Sequence, residues 1–221
     1  MAKSDDVYEL IVSRLVEGRY AFGERLLVKE IASETGASRQ PIMTALNRLS
    51  AEGFVKVIPQ VGCAILDPSP MEIADFFHLF QMLEGLLAEL AAQRRTESEL
   101  LELQLIQSRI VALEQSDTRS PTEYLALNQK FHQCIHAMSH SPLLQRKQRN
   151  NFNMSDFFIN HSVGFSGIMT NAVHGHDRMI TAITERNPER ARQEAEEHIA
   201  EISAAVLDRM QAASAAEAAS S

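Results

Sequence analysis

Tryptophan is absent from the 221 residues, and cysteine occurs only twice. Cys63 and Cys134 fall in different expected domains and show no Cys-x-x-Cys spacing, which leaves no disulfide framework and no zinc ribbon. Both are expected as small buried hydrophobes, with a redox-sensing thiol at Cys63 as the sharper alternative. No stretch approaches the ~20 consecutive apolar residues of a membrane helix, and the opening "MAKSDDVYEL" lacks the apolar core of a signal peptide. A cytoplasmic chain with no membrane partner is expected. Glycine and proline are few, 9 and 7, and with 45% hydrophobic residues this excludes the fibrous and disordered classes. Also missing are a Gly-rich phosphate loop, His-Glu-x-x-His, a Ser/His/Asp nucleophile motif and a Glu-x-x-His pair of the di-iron type. Positive charge is short as well, with 21 Lys and Arg against 29 Asp and Glu and a net charge of −8. Phosphate binding depends on Lys and Arg, so this balance first argues against nucleic acid. Its distribution answers the objection: residues 1–66 hold eight basic and eight acidic side chains, and the whole excess of acid lies beyond them.

What is there begins with residues 27–66, "LVKEIASETGASRQPIMTALNRLSAEGFVKVIPQVGCAIL". Val28, Ile31 and Ala32 recur at helical spacing until Thr35-Gly36 breaks the run, and Ser38 caps a new helix that carries Ile42, Leu46 and Leu49 on one face. Two helices joined by a Gly-containing turn make a helix-turn-helix. The segment "FVKVI" alternates apolar and polar residues, and Pro59-Gln60-Val61-Gly62 turns the chain into "CAIL", a hairpin placed as a wing. With its apolar face buried, the second helix presents Arg39, Gln40, Met43, Thr44, Asn47 and Arg48 outward, and such a helix fits the major groove of double-stranded DNA. An earlier helix, from about Asp5 to Gly18, has Val7, Leu10, Ile11 and Leu15 on one stripe.

Pro68 and Pro70 in "LDPSP" mark a boundary, after which the pattern is helical throughout. From Met71 to about Arg95 a broad apolar face includes Ile73, Phe76, Phe77, Phe80, Leu83, Leu87, Leu90 and Ala91. Thr96 with Glu99 forms a capping box for the next helix, and Ser120-Pro121, Ser141-Pro142 and Asn187-Pro188 repeat a cap-then-proline start. The expected fold is mostly α, with an N-terminal winged helix-turn-helix and small β hairpin followed by an all-helical bundle of six helices. Its divisions are 1–66 for the reader, 67–70 for a linker, 71–212 for the bundle and 213–221 for a disordered tail.

Asn128 and His132 lie four apart and share a helix face. His176 falls on the stripe of Met179, Ile180 and Ile183, and His198 on that of Ala195 and Ile202, so all three histidines point inward. Neutral imidazoles on facing bundle helices are a common way to hold zinc, nickel or copper, and such a site is expected to weaken below about pH 6 to 7. Taken singly, each histidine reads as a hydrogen-bonded core residue. His132, His136 and His140 form a rival row at four-residue steps.

The text "GRYAFGERLLVKEIASETGASRQPIMTALNRLSAEGFV" resembles the GntR family of bacterial transcription regulators, in its Gly-x-Tyr-x-x-Gly opening, Ser-Arg-x-Pro helix start and Leu-x-x-Glu-Gly close. The resemblance implies DNA contacts by Arg39, Arg48 and the wing Gly62, with Gln40, Thr44 and Asn47 as candidate base readers. Met43-Thr44 stands where the family commonly has Arg-Glu, and Val61 where a basic residue often precedes the glycine. The phrases "LNQKFHQCIHAMSHSPLL" and "HDRMITAITERNPERARQEAEEHI" are similar to the effector-binding FCD domain of the FadR branch. That likeness implies a divalent transition metal, zinc or nickel, held by Asn128, His132, His176 and His198, with open positions for water or a carboxylate effector. Asn128 replaces the usual Asp, and Phe80 stands where many relatives have an Arg one turn before the Glu matched by Glu84. The implied function is a small-molecule-responsive homodimer on a palindromic operator, more often a repressor. A helical-bundle metalloenzyme with the winged helix as passenger is the alternative, and a scaffold for proteins alone is a third.

Overall fold

In the computed structural model, residues 3–58, 62–117 and 120–220 are described, and the chain divides into two compact units, Met1–Ser69 and Pro70–Ser221. The first unit contains α1 (Ser4–Val16), β1 (Arg25–Leu26), α2 (Val28–Thr35), α3 (Arg39–Ala51), β2 (Val55–Ile58) and β3 (Gly62–Ile65). Its core is the meeting of the apolar stripes of the three helices, with Val7, Ile11, Leu15, Ile31, Ile42, Leu46 and Leu49 all buried. Gly36 ends α2 at φ 65°, in the left-handed region, and its N–H bonds to the Ala32 carbonyl. A side chain is strained in that conformation, so glycine sets the turn between the two helices. Ser38 stands before α3 in extended backbone, but its hydroxyl makes no capping bond.

The sheet has the order β1-β3-β2, all antiparallel. Val55 faces Ile65 and Ile58 faces Gly62 in the expected hairpin, and the third strand adds Arg25 opposite Ala64 and Leu26 opposite Cys63. Two residues are too few to show an alternating pattern, so β1 has no signature in the sequence. The expected turn at Pro59, Gln60 and Val61 lies outside the described residues.

The second unit contains α4 (Pro70–Arg94), α5 (Glu97–Glu114), α6 (Pro121–Met138), α7 (Pro142–Ser162), α8 (Phe165–Thr184) and α9 (Pro188–Ser220). Six helices follow the boundary, among the described residues, and α4 and α9 pack along one another at the centre. Three of the proposed starts are hydrogen-bonded as read: Thr96 and Glu99 exchange both bonds of a capping box, Ser120 Oγ accepts from the Glu123 N–H, and Asn187 Oδ1 accepts from the Arg190 N–H. The segment expected to be disordered from 213 instead continues α9 to Ser220. Alanine, which dominates that stretch, has the highest intrinsic helix propensity. Among the described residues no helix is long and apolar enough to cross a membrane.

Candidate functional site

On α3 the buried residues Ile42, Ala45, Leu46 and Leu49 face the core of the first unit, and Arg39, Gln40, Thr44 and Asn47 are exposed on the opposite side. Thr44 Oγ1 donates to the Gln40 carbonyl at 3.1 Å, one turn back on its own helix. Arg48 is placed differently. It lies on the flank, half-buried, with its guanidinium 3.5 Å from the centre of the Tyr8 ring and Nε donating to Glu52 Oε1 at 3.0 Å. Tyr8 itself donates to Glu52, so Arg48 is part of the junction between α1 and α3. Gly62 opens β3 at the wing, opposite Ile58.

In the second unit, His132 of α6, His176 of α8 and His198 of α9 converge, each offering a nitrogen within 4.8 Å of the others. Their ring centres are 5.1 to 5.6 Å apart, and all three are at most 3% exposed. Phe131 stacks on His176 with 3.9 Å between centres. Gly175 makes the approach of α9 possible: a Cβ there would lie 2.4 Å from His198 Nδ1.

The surrounding polar groups determine which nitrogens are left over. Gln107 Nε2 donates to the Val173 carbonyl at 3.2 Å and to Asp177 Oδ1 at 2.8 Å, which turns Oε1 toward His176 Nδ1 at 3.1 Å. A carbonyl oxygen can only accept, so Nδ1 carries the proton and Nε2 keeps its lone pair. That Nε2 and His198 Nδ1 are both buried without a hydrogen-bond partner. Glu84 of α4 plays the same part for His132, accepting from Nδ1 at 3.0 Å on Oε2. Its other oxygen accepts from His136 Nε2 at 2.7 Å and Gln148 Nε2 at 2.6 Å. Burial opposes ionisation of Glu84, but His136 and His132 outweigh it and hold the carboxyl well below its ordinary range. Burial, then the neighbouring histidines, lowers His176 well below 6.5 and His198 to about 3, so both remain neutral. A metal ion requires this form of imidazole, and the two unpartnered nitrogens give it a place; the donor set fits a borderline divalent cation.

Asn128 lies one turn before His132, 8% exposed, and lines the same narrow cavity of about 20 Å³ as His132, His198 and Phe80. Tyr124 and Asp156 also line it; the Tyr124 hydroxyl is buried without a partner, and Gln129 Nε2 donates to Asp156 Oδ2 at 2.7 Å. Among the lining residues there is no lysine or arginine. The row of His132, His136 and His140 is brought together only in part: His132 and His136 share Glu84 in a second buried group whose ligand atoms lie within 4.8 Å of one another, without His140. His140 is exposed and pairs with Glu99 at 3.0 Å, and His136 turns to Glu84. Both thiols are raised by burial, Cys63 in the sheet and Cys134, to about 12, with Glu102 and Glu99 adding to it. Neither is a ready thiolate.

Sequence reasoning missed Glu84, Gln107, Gln148 and Gly175. Glu84 did leave a sign, as an acid on the apolar stripe of Phe80, Leu87 and Ala91.

Comparison with known proteins gives matches for both units. Residues 3–65 match the bacterial regulatory proteins of the gntR family, and residues 75–201 match the FCD domain. The HTH-type transcriptional regulator YdhC of Bacillus subtilis is 25% identical over 196 residues, covering 84% of this chain and 83% of its own. The Nta operon transcriptional regulator of Aminobacter aminovorans is 29% identical over 128 residues, covering 58% and 60%. In fold, E. coli McbR/YncC is similar with a TM-score of 0.79 at 19% identity, over 95% of this chain and 99% of that one. The chain therefore belongs to the gntR family of bacterial regulatory proteins, in the FadR-like branch with an FCD effector-binding domain, and it is a transcription regulator rather than an enzyme.

Proposed function

We propose that the protein is a homodimeric repressor that binds a palindromic operator and is released by a small carboxylate effector seated at a metal in the helical unit. The observation that carries this reading is the cluster of His132, His176 and His198, in which His176 Nε2 and His198 Nδ1 are buried without a hydrogen-bond partner. His132 and His176 would bind zinc or nickel through the nitrogen that Glu84 and Gln107 leave unprotonated, His198 through Nδ1, and Asn128 through its amide oxygen. What the metal supplies when bound is a positive seat for a carboxylate in a cavity that otherwise lacks a cation. Asn128 brings no charge, so this seat is weaker than one built with Asp.

In the reader, Arg39, Gln40, Thr44 and Asn47 enter the major groove, Arg48 steadies the recognition helix from Tyr8, and Gly62 lets the wing approach the backbone. Exposed Leu79 and Met82 on α4, 52% and 51%, and Leu101 and Leu105 on α5, 66% and 64%, offer the apolar area for self-association. Effector binding then shifts the population away from the half-site spacing that fits the operator.

Metal titration by calorimetry on wild type, His176→Ala and Asn128→Asp tests the proposal. Wild type is expected to take one metal per chain, His176→Ala to lose it and Asn128→Asp to hold it more tightly. Equal and negligible uptake by all three would make the histidines structural, and a monomer at micromolar concentration in sedimentation would remove the dimer.

A further inference from the structure

A second cleft of about 270 Å³ opens between α6 and α7, lined by Gln133, His136, Gln145, Arg146, Arg149 and Phe152 among others. It is more than ten times roomier than the cavity beside the histidines, and the Phe152 ring is a wall common to both. Arg146 and Arg149 are three apart on α7 and therefore neighbours on one face. Both are exposed and neither has an acidic partner among the described residues, whereas Arg95, Arg178, Arg186, Arg190 and Arg192 of the same unit each pair with a glutamate. In a unit this rich in acid, two unpaired guanidinium groups at the rim of a cleft leave its charge uncompensated. One lining residue, His136, leads from the cleft to buried polar groups behind it. His136 is 5% exposed, and its Nε2 bonds to Glu84 Oε1 at 2.7 Å. Glu84 Oε2 in turn holds His132 Nδ1 at 3.0 Å. Gln148, beside Arg149 in sequence, is fully buried and donates to the same carboxylate at 2.6 Å.

We propose that this cleft is a second small-molecule site, for an organic anion whose carboxylate or phosphate lies between Arg146 and Arg149 and whose apolar body covers Phe152. Its occupancy is felt at the histidine cluster through His136 and Glu84. Guanidinium groups at this spacing suit a planar or tetrahedral oxyanion, and the edge of the buried Phe152 wall suits a ring or short hydrocarbon. The link to the cluster rests on the metal reading above; the anion site does not. Two ligand signals thus meet at one carboxylate, and coupling of this kind acts equally in both directions.

The test uses the full chain stripped of metal by a chelator, with benzoate and phenyl phosphate as probes and benzamide as the uncharged match in shape. Calorimetry is expected to show uptake of both anions, with benzamide weaker by about tenfold or more, and a loss of about tenfold in the double variant Arg146→Ala/Arg149→Ala. Both side chains are exposed, so this variant keeps the fold. A zinc titration is then expected to shift severalfold in the presence of benzoate in wild type and not in the double variant. No uptake of either anion at millimolar concentration, equal affinity for benzamide, or an unchanged double variant would overturn the site. Anion uptake with an unmoved zinc affinity would overturn the link, and anion uptake with no zinc binding at all would overturn the metal reading together with the link while leaving the cleft established.

Discussion

Gly175 has no side chain, and that vacancy determines where His198 can stand. Alanine in the interior of a helix usually gains about 0.5 to 1 kcal/mol over glycine, but here the added Cβ would lie 2.4 Å from His198 Nδ1. Gly175→Ala is therefore expected to keep its helix content while metal affinity falls by about 10- to 100-fold, the range seen when the groups around metal ligands are disturbed. Circular dichroism and zinc calorimetry check both halves, and unchanged affinity would dispose of the crowding argument. Asp156 poses a different question. Burial pushes its pKa up to about 8 from an ordinary 3.8, against the hydrogen bond from Gln129, so the native state keeps a proton that the unfolded chain releases. Stability then falls as pH rises through that window. His198, lowered to about 3 chiefly by burial, does the reverse: the unfolded chain gains a proton near 6.5 that the native state refuses, and stability falls as pH drops below that value. Asp156→Asn is expected to melt higher than wild type near about pH 8 and to differ little near about pH 4. Parallel melting curves across pH would count against a buried neutral acid. The same lowering of His176 and His198 by burial favours the neutral imidazoles that the proposed metal requires and would carry its loss to lower pH than the ordinary histidine range.

Between elements, Arg95, like Glu84, is one of the buried charges that tie helices together. It follows the last residue of α4, is 5% exposed, and donates from Nε to the Ile183 carbonyl and from Nη2 to the Thr184 carbonyl, each at 2.9 Å. Those carbonyls end α8, where the dipole favours a cation; the Ile183 carbonyl also accepts from the Arg186 N–H at 3.2 Å. Arg95→Met should cost about 2 kcal/mol in denaturant unfolding of the helical unit by removing the charged donor from both carbonyls, and Arg95→Lys should recover only part, since an ammonium lacks the fixed planar fork that spans the two acceptors. A cost under about 0.5 kcal/mol for the Met variant would mean that water already serves the end of α8. Helix starts such as Thr96-Glu99 and Asn187-Pro188 were legible because caps act within one turn, and the three converging histidines because each falls on its own helix's apolar stripe. What could not be read is held by distant partners: Glu84 meets His132 across 48 residues, and Gln107 meets His176 across 69. Arg48 escaped for the same reason, since the periodicity of α3 says nothing about Tyr8 on α1.

For the molecule as a whole, charge is divided by task. The DNA-reading residues 1–66 are neutral in sum and the remainder holds the entire −8, so operator binding relies on local contacts and should weaken steeply with salt. The histidine cluster adds a matter of time. His132, His176 and His198 are at most 3% exposed, and beside them is a cavity of only about 20 Å³, so an ion held there as proposed would have a narrow way in and out. Its exchange is then set by how often the bundle opens rather than by how tightly the ligands bind. Removal of zinc by excess chelator is expected to proceed at the rate at which α8 amides become open to deuterium, at any chelator concentration; a rate that climbs with chelator would mean direct access. A metal held there as proposed would therefore report the supply at the last opening of the bundle rather than the supply of the moment.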